Sequence, residues 1–452
     1  MTIVNVRIPV RRVGVEGAGW HGAWAALGLL LLTRALPFES RSLSAIVDRG
    51  LSVQNYVEVI STAIAAGWIL WALFCRTVRP KLLFRRHWRW FLLLCAVYAA
   101  SAAWSPMPAL TAYRVAELLT AATIVLFLFG MSTNPYGDLL RLLYLCTLVC
   151  AAGVLVADYR LGIWPDKLLA ALRSNPGGGV ASSLLVFALF AKGFRPGMRA
   201  FHSAVAIVAL VLFGSLTSYV ALLTGVLTGC AMAARNRIVG TSILFLFLST
   251  TVVALLDVNL SDLAEQVGTL VDRPTEAIQN GTGRLGLWQE TLKASADRPF
   301  GGGYVASERL MTLRGDVNAS LVWQAASSHN GFLSAWMGAG YIGLLILCTY
   351  LLALWRTLSF AGGPNSAALR AMLAVVIITN FSISSVGGRL DMVSVVAIAL
   401  AALPTAGACH GSNRVRQAKT SSGLLPTRSR WTGPAGSSEK ARRPETPPLN
   451  WV

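Results

Sequence analysis

The stretch SSHNGFLSAWMGAGYIGLLIL occupies residues 327–347 and changes from polar to apolar after His329. Its apolar part is long enough to enter a bilayer, which takes about 17–25 such residues. Upstream of it lies the polar segment GTGRLGLWQETLKASADRPFGGGY at residues 281–304, which contains Arg284. The pattern predicts a polar loop that leads back into a membrane helix, with the chemistry at this junction.

The composition extends this prediction to the whole chain. It is 55% hydrophobic and 13% charged, with a mean hydropathy of +0.59, whereas a soluble domain carries about 25% charged residues. Apolar runs of spanning length lie near residues 20–38, 56–75, 88–104, 112–130, 138–157, 177–194, 199–215, 216–234, 237–256, 331–356, 368–386 and 390–406. The predicted fold class is therefore an all-α polytopic membrane protein with about twelve transmembrane helices.

The net charge of +19 is explained by where the charges lie. If the N-terminus is inside and the spans alternate, the inner segments hold most of the 39 basic and few of the 20 acidic residues, as cytoplasmic loops do. The basic segment 76–89 then contacts anionic membrane lipids. This explanation predicts an N-in, C-in topology and no nucleic-acid partner.

The topology divides the chain into five parts. They are a cytoplasmic N-terminus (1–19), transmembrane helices 1–9 (20–256), a large outer loop (257–330), transmembrane helices 10–12 (331–406) and a disordered basic cytoplasmic tail (407–452). The outer loop, between helices 9 and 10, has about 74 residues, and loops of that length are usually functional or disordered.

Inside this loop the spacing predicts a helix over residues 283–297. Its apolar face is formed by Leu285, Trp288 and Leu292. Pro299 and the glycines at 301–303 predict a flexible turn after it. A helix that begins at Arg284 combines free N–H groups with a guanidinium, which favours an anion site. An interfacial helix whose arginine snorkels or pairs with a carboxylate would explain the same spacing.

His329 is the histidine that this topology places on the outer face, beside a membrane cavity. An imidazole titrates near neutral pH and can move a proton or bind phosphate, although a capping or interface role also fits a lone histidine at a helix start. The helix after it carries small residues that permit close helix packing, namely Gly338, Gly340 and Gly343.

Four motifs follow one another in this part of the chain: GR-x-x-x-W, P-x-G-x-G, HN-x-x-L and G-x-x-G-L. They are formed by Gly283, Arg284, Trp288; Pro299, Gly301, Gly303; His329, Asn330, Leu333; and Gly340, Gly343, Leu344. Their order resembles the bacterial O-antigen ligase and O-antigen polymerase superfamily, most strongly over residues 281–350. The segments SAAWSPMPALTAYRVAELL (101–119) and NPGGGVASSLLVF (175–187) resemble upstream parts of the same family.

The resemblance implies a GT-C type glycosyltransferase of the bacterial inner membrane, with its active site on the periplasmic face. The donor would be a glycan on undecaprenyl pyrophosphate, and the acceptor a lipid A core or another glycan. No cofactor and no metal are implied, and the outer loop has no D-x-D motif or His/Glu pair at ligand spacing.

The same resemblance assigns roles to four residues. Arg284 and His329 would be catalytic: Arg284 holds the pyrophosphate through its bidentate fork, and His329 takes the acceptor proton or helps to hold the pyrophosphate. Trp288 and Asn330 would bind substrate.

One departure from the family concerns a second basic residue. Family members often carry it in a Ser-rich helical segment, but the corresponding residues 214–223 contain no Lys or Arg. Arg114, with Glu117 three residues later, is the first substitute and would also bind substrate. An ionisable pair in a span is costly unless it faces a wet cavity, and a structural ion pair that locks helices is the alternative. Arg389, close to Asp391, is the second substitute.

The sequence does not separate an O-antigen ligase from a polymerase of O-antigen or exopolysaccharide repeat units. A transporter of lipid-linked sugars is the alternative from another class, and transporters often contain inverted repeats with charges at the membrane midplane. Here the two halves show no repeat, and the charges lie near the outer face, which favours the transferase.

Overall fold

A computed structural model describes the chain over residues 13–36, 53–75, 88–160, 174–213, 215–234, 284–308, 328–361 and 363–404. The described helices are α1 (Val13–Ala35), α2 (Val53–Phe74), α3 (Trp88–Ala100), α4 (Pro108–Met131), α5 (Pro135–Arg160), α6 (Asn175–Phe190), α7 (Pro196–Phe213), α8 (Leu216–Ala233), α9 (Arg284–Ala296), α10 (Gly331–Ala361), α11 (Ser366–Asn380) and α12 (Met392–Pro404). These residues contain no β-strand, which confirms the predicted all-α class for them.

Among the described helices, six are long and apolar enough to cross a membrane: α2, α4, α5, α7, α8 and α10. Three more, α3, α6 and α12, are apolar but shorter. Each predicted span that falls on described residues coincides with a helix, whereas the predicted span 237–256 lies outside them. The chain is a multi-pass membrane protein, and the count of twelve spans remains a prediction.

The split in the long apolar run between residues 199 and 234 is confirmed. α7 ends at Phe213 and α8 begins at Leu216. The two helices turn back against the start of α6, where the Ser174 N–H donates to the Phe213 carbonyl at 3.1 Å. The Ser215 hydroxyl, which precedes α8, donates to the side-chain oxygen of Asn175.

Connections of the described helices gather at two opposite ends of the bundle. The site end is formed by residues 101–108, 298–308, 328–331 and 381–391. At the opposite end, the Lys192 N–H donates to Asn365 Oδ1 at 2.7 Å. The predicted order of inner and outer connections remains a prediction, as does the end that faces out of the cell.

The centre of the bundle is formed by α6, α8, α11 and α12. Two glycines at the start of α6 allow this packing. A methyl group on Gly178 would overlap the Ser218 side chain on α8, and one on Gly179 would lie 2.8 Å from Thr379 Cγ2 on α11. Small residues let membrane helices approach closely where lipid supplies no hydrophobic drive. By contrast, α2 and α7 expose large apolar side chains, as expected of faces that contact lipid.

Candidate functional site

The site end is organised by a break in α10. The helix is interrupted at Ala339 and at Gly340, whose φ is +66°. A break frees N–H and C=O groups that an intact helix would use internally. Here the freed groups of α10 bind the P-x-G-x-G segment. The Met337 and Gly338 carbonyls accept from the N–H groups of Gly302 (2.7 Å) and Gly303 (3.0 Å), and the Tyr341 N–H donates to the Pro299 carbonyl (3.1 Å).

Glycines of α10 are therefore needed for contact between this loop and the helix. A methyl group on Gly340 would overlap the Pro299 carbonyl, and one on Gly338 would lie 3.1 Å from Tyr304 Cα. The turn expected after α9 is present, with the Gly301 N–H donating to the Arg298 carbonyl at 2.9 Å. Main-chain hydrogen bonds hold the segment against α10, and its flexibility remains a prediction. Gly338 and Gly340 of α10 do permit close packing, but with this loop, whereas Gly343 lies against Ala335 and Ala339 of α10 itself.

Tyr304 ties the loop to two further segments. Its N–H donates to Ser101 Oγ at 3.0 Å, and its carbonyl accepts from Thr111 Oγ1 at 3.1 Å. Its ring stacks on Tyr98 with the centroids 4.1 Å apart, and its hydroxyl donates to the Gly388 carbonyl. Burial raises the pKa of Tyr304 well above its ordinary value, so the hydroxyl remains a donor. The segment 101–119, compared above with the family, thus lies against the P-x-G-x-G loop.

α9 begins at Arg284 and ends at Ala296, close to the predicted bounds. Its buried residues are not those of the predicted apolar face: Leu287, Thr291 and Ser295 are buried, whereas Leu292 is 39% exposed. The polar members can be buried because each hydroxyl donates to a carbonyl one turn earlier, both at 2.7 Å.

Trp288 connects α9 to the junction with α10. Its indole Nε1 donates to the Ser328 carbonyl at 3.0 Å, so this part of α9 lies beside the residue that precedes His329. Arg284 is four residues before Trp288, and residues at that spacing share a helix face. The Arg284 side chain lies outside the described residues, but its position at the start of α9 is next to the junction.

His329 has a left-handed backbone conformation, with φ +49°. Such a conformation is uncommon for residues other than glycine, and strained residues cluster at functional sites. His329 is half-buried. The following residue, Asn330, is the cap of α10: its Oδ1 accepts from the N–H groups of Phe332 (2.9 Å) and Leu333 (3.2 Å). The geometry thus gives Asn330 a structural task, while its predicted contact with substrate remains a prediction.

Glu308, which the sequence analysis missed, lies at the same junction and is 4% exposed. Its Oε1 accepts from Ser328 N–H (3.2 Å), Ser328 Oγ (2.9 Å), Ser384 Oγ (3.3 Å) and Ser334 Oγ. No periodicity or motif marks Glu308, since its partners are 20 to 76 residues away in the chain.

The turn between α11 and α12, residues 381–391, completes the site end. A methyl group on Gly387 would overlap the Gly331 carbonyl at the start of α10, so the turn touches the residues after His329. Arg389 follows two residues later and is exposed.

Asp391, near Arg389, caps α12. It accepts from the Ser394 N–H and hydroxyl at 2.8 Å each and from the Ser385 hydroxyl at 2.5 Å.

Arg114 lies in a buried charge cluster of Arg34, Glu58, Arg114 and Glu117, which joins α1, α2 and α4. Arg114 donates from Nη1 to Glu117 at 3.0 Å and from Nη2 to Glu58 at 3.2 Å. Arg34 contacts Glu58 at 2.6 Å and also contacts Glu117. The four charges sum to zero, and the Arg114–Glu117 pair weighed above as a structural alternative is present.

Comparison with known families bears on this arrangement. Residues 201–348 match the O-antigen ligase family. The match begins within α7 and contains α8, α9, the P-x-G-x-G loop, His329 and the break in α10. It supports membership of the O-antigen ligase and polymerase superfamily, which confirms the resemblance. Segments 101–119 and 175–187 and the turn 381–391 lie outside the match. No curated protein sequence matches the chain.

Proposed function

We propose that this protein is an O-antigen ligase-like glycosyltransferase. It transfers a glycan from undecaprenyl pyrophosphate to a lipid A core or glycan acceptor at the periplasmic face of the inner membrane. The family match suggests a membrane glycosyltransferase of the ligase or polymerase type. The observation that carries the proposal is that the start of α9, the left-handed His329 and the turn with Arg389 meet at one end of the bundle.

In the proposed reaction, an acceptor hydroxyl attacks the anomeric carbon of the donor glycan. The bond between that carbon and the pyrophosphate oxygen breaks, and lipid pyrophosphate leaves with the bonding electrons. His329 takes the hydroxyl proton, as a neutral imidazole can near pH 7. Arg284 stabilises the negative charge on the leaving group, helped by the N–H groups at the start of α9.

The second cation is assigned to Arg389. Both terminal nitrogens of Arg114 are bound to carboxylates inside the charge cluster, so binding a phosphate would break a buried ion pair. Arg389 is exposed on a turn that touches the start of α10. Its charge can therefore reach a ligand without disturbing the fold.

The test is a deletion strain complemented with variants and analysed by gel electrophoresis of its surface glycans. Loss of all attached glycan, with lipid-linked chains accumulating, indicates a ligase. Collapse to a single repeat unit indicates a polymerase. An unchanged glycan pattern would contradict the transferase, and a block that leaves lipid-linked glycan on the inner face would instead indicate a transporter.

The site is tested with Arg284→Ala, His329→Ala and Arg389→Ala, which are expected to reproduce the deletion pattern while the protein is still made. Arg356→Ala is the matched control, because Arg356 is an exposed arginine towards the opposite end of α10, and it should complement fully. Full activity of both Arg284→Ala and His329→Ala would refute the assignment.

A further inference from the structure

A buried carboxylate, Glu308, is hydrogen-bonded to Ser328, the residue before His329. It has no part in the proposed reaction. Glu308 is 4% exposed, and its Oε1 accepts from groups of three separate segments. They are Ser328 before His329, Ser334 in the first turn of α10, and Ser384 in the turn between α11 and α12.

The chemistry of these groups explains why an acid is buried here. An ionised carboxylate only accepts hydrogen bonds, whereas each serine hydroxyl has one proton to donate. The Ser328 hydroxyl also lies 2.9 Å from the Ser334 hydroxyl and 3.2 Å from that of Ser384. Three hydroxyls and one N–H converge on Glu308 Oε1. This oxygen accepts their hydrogen bonds and so fixes the direction in which the hydroxyl protons point.

The same network fixes the backbone on both sides of His329. Ser328 is bound to Glu308 through its N–H and its hydroxyl. The Ser328 hydroxyl also lies 3.0 Å from the Asn330 carbonyl, and the Asn330 N–H lies 3.4 Å from that hydroxyl. His329, with φ +49°, is the residue between these two anchored neighbours. A strained conformation persists only when its surroundings determine it.

We propose that Glu308 is a positioning residue, which holds His329 in its left-handed conformation through Ser328 and so directs the imidazole at the acceptor. This inference rests on the proposed function, in which His329 is the base that takes the acceptor proton. The positioning itself can be measured without any transfer reaction.

The experiment uses the purified full-length protein in micelles and the variants Glu308→Gln and Glu308→Ala. Asp297→Asn is the matched control, since Asp297 is an exposed carboxylate in the same loop. The first readout is the rate at which diethyl pyrocarbonate modifies His329, followed by mass spectrometry. The exposed His21 serves as the internal reference. The second readout is kcat and KM with an undecaprenyl-pyrophosphate glycan.

We expect His329 to react several times faster in Glu308→Ala, and less so in Glu308→Gln because the amide oxygen can still accept hydrogen bonds, with the rate at His21 unchanged. The kcat should fall about tenfold or more, because a displaced base loses much of its contribution, while the KM for the donor changes little. Asp297→Asn should change neither readout. If the Glu308 variants do not fold, Ser384→Ala removes one hydroxyl of the network and should show the same changes to a smaller degree.

An unchanged modification rate at His329 in folded Glu308→Ala protein would overturn the positioning role. So would a loss of kcat with no change at His329, which would indicate a different task for the carboxylate. If the wild-type protein transfers no glycan but His329 reacts faster in the Glu308 variants, the positioning stands and the proposed function fails.

Discussion

The buried charge cluster of Arg34, Glu58, Arg114 and Glu117 allows a quantitative test of how the site end is held. Glu117 contacts both arginines, and its side chain has no solvent exposure. The substitution Glu117→Gln leaves two buried guanidinium groups with one carboxylate. Hydrogen bonds to charged groups contribute about 1.5–3 kcal/mol each, and breaking a buried ion pair costs about 3–5 kcal/mol.

Because glutamine keeps one acceptor oxygen, we expect a loss of about 3 kcal/mol in the free energy of unfolding, at the lower end of that range. Proteins are typically stable by about 5–15 kcal/mol, so this loss is large. The measurement is SDS-induced unfolding in mixed micelles. Arg141→Ala is the control, because Arg141 is 64% exposed and surface pairs contribute about 1 kcal/mol or less.

The decisive comparison is the double variant Arg114→Leu/Glu117→Leu. It removes one charge of each sign and leaves the Arg34–Glu58 contact of 2.6 Å in place. Buried ion pairs replaced by apolar side chains are often neutral or stabilising, so most of the loss should be recovered. If the double variant loses as much free energy of unfolding as Arg114→Leu and Glu117→Leu lose together, the argument from uncompensated charge is refuted. A Glu117→Gln protein of wild-type stability would refute it too.

Three further predictions concern the same end of the molecule. Gly340→Ala should cost about 2 kcal/mol or more, because Gly340 has a positive φ and its methyl would overlap Pro299; Gly67→Ala, which meets no atom within 4 Å, should be harmless in the same unfolding assay. Trp288→Phe removes the hydrogen bond to Ser328. It should lower the free energy of unfolding by about 1 kcal/mol and should also lower kcat. An unchanged kcat would show that this contact of α9 does not affect the site. Glycan transfer should persist in excess EDTA, and activity restored only by added Mg²⁺ or Mn²⁺ would contradict a metal-independent reaction.

The sequence predicts what depends on local pattern. Apolar runs place the described spans and the division between α7 and α8, because burying a helix in lipid requires a continuous apolar segment. Loop residues with helical spacing place α9 at Arg284. The apolar face predicted for α9 does not reveal that Thr291 and Ser295 are buried, because these residues satisfy their hydroxyls on their own helix, which periodicity of apolar residues cannot detect.

Contacts between distant segments could not be predicted in this way. Arg114 and Glu58 are 56 residues apart, and nothing in the local sequence marks Glu58 as the partner. Glu308 and Ser384 are 76 residues apart, and the pairing becomes visible only once α10 and α11 have packed. The motif glycines were found by their order along the chain, but a loop bound into a broken helix depends on contacts between distant residues, which that order does not reveal.

The charge cluster also bears on which cations can meet a pyrophosphate. If the proposed function holds, the site must supply positive charge that is not already neutralised, because the reaction is proposed to use no metal. Arg34 and Arg114 are both bound to carboxylates, so their charges hold α1, α2 and α4 together. One turn before Arg114 on α4, Thr111 binds the Tyr304 carbonyl. The cluster therefore joins α4, against which the P-x-G-x-G loop packs, to α1 and α2, and Arg284 and Arg389 remain the proposed sources of charge for the pyrophosphate.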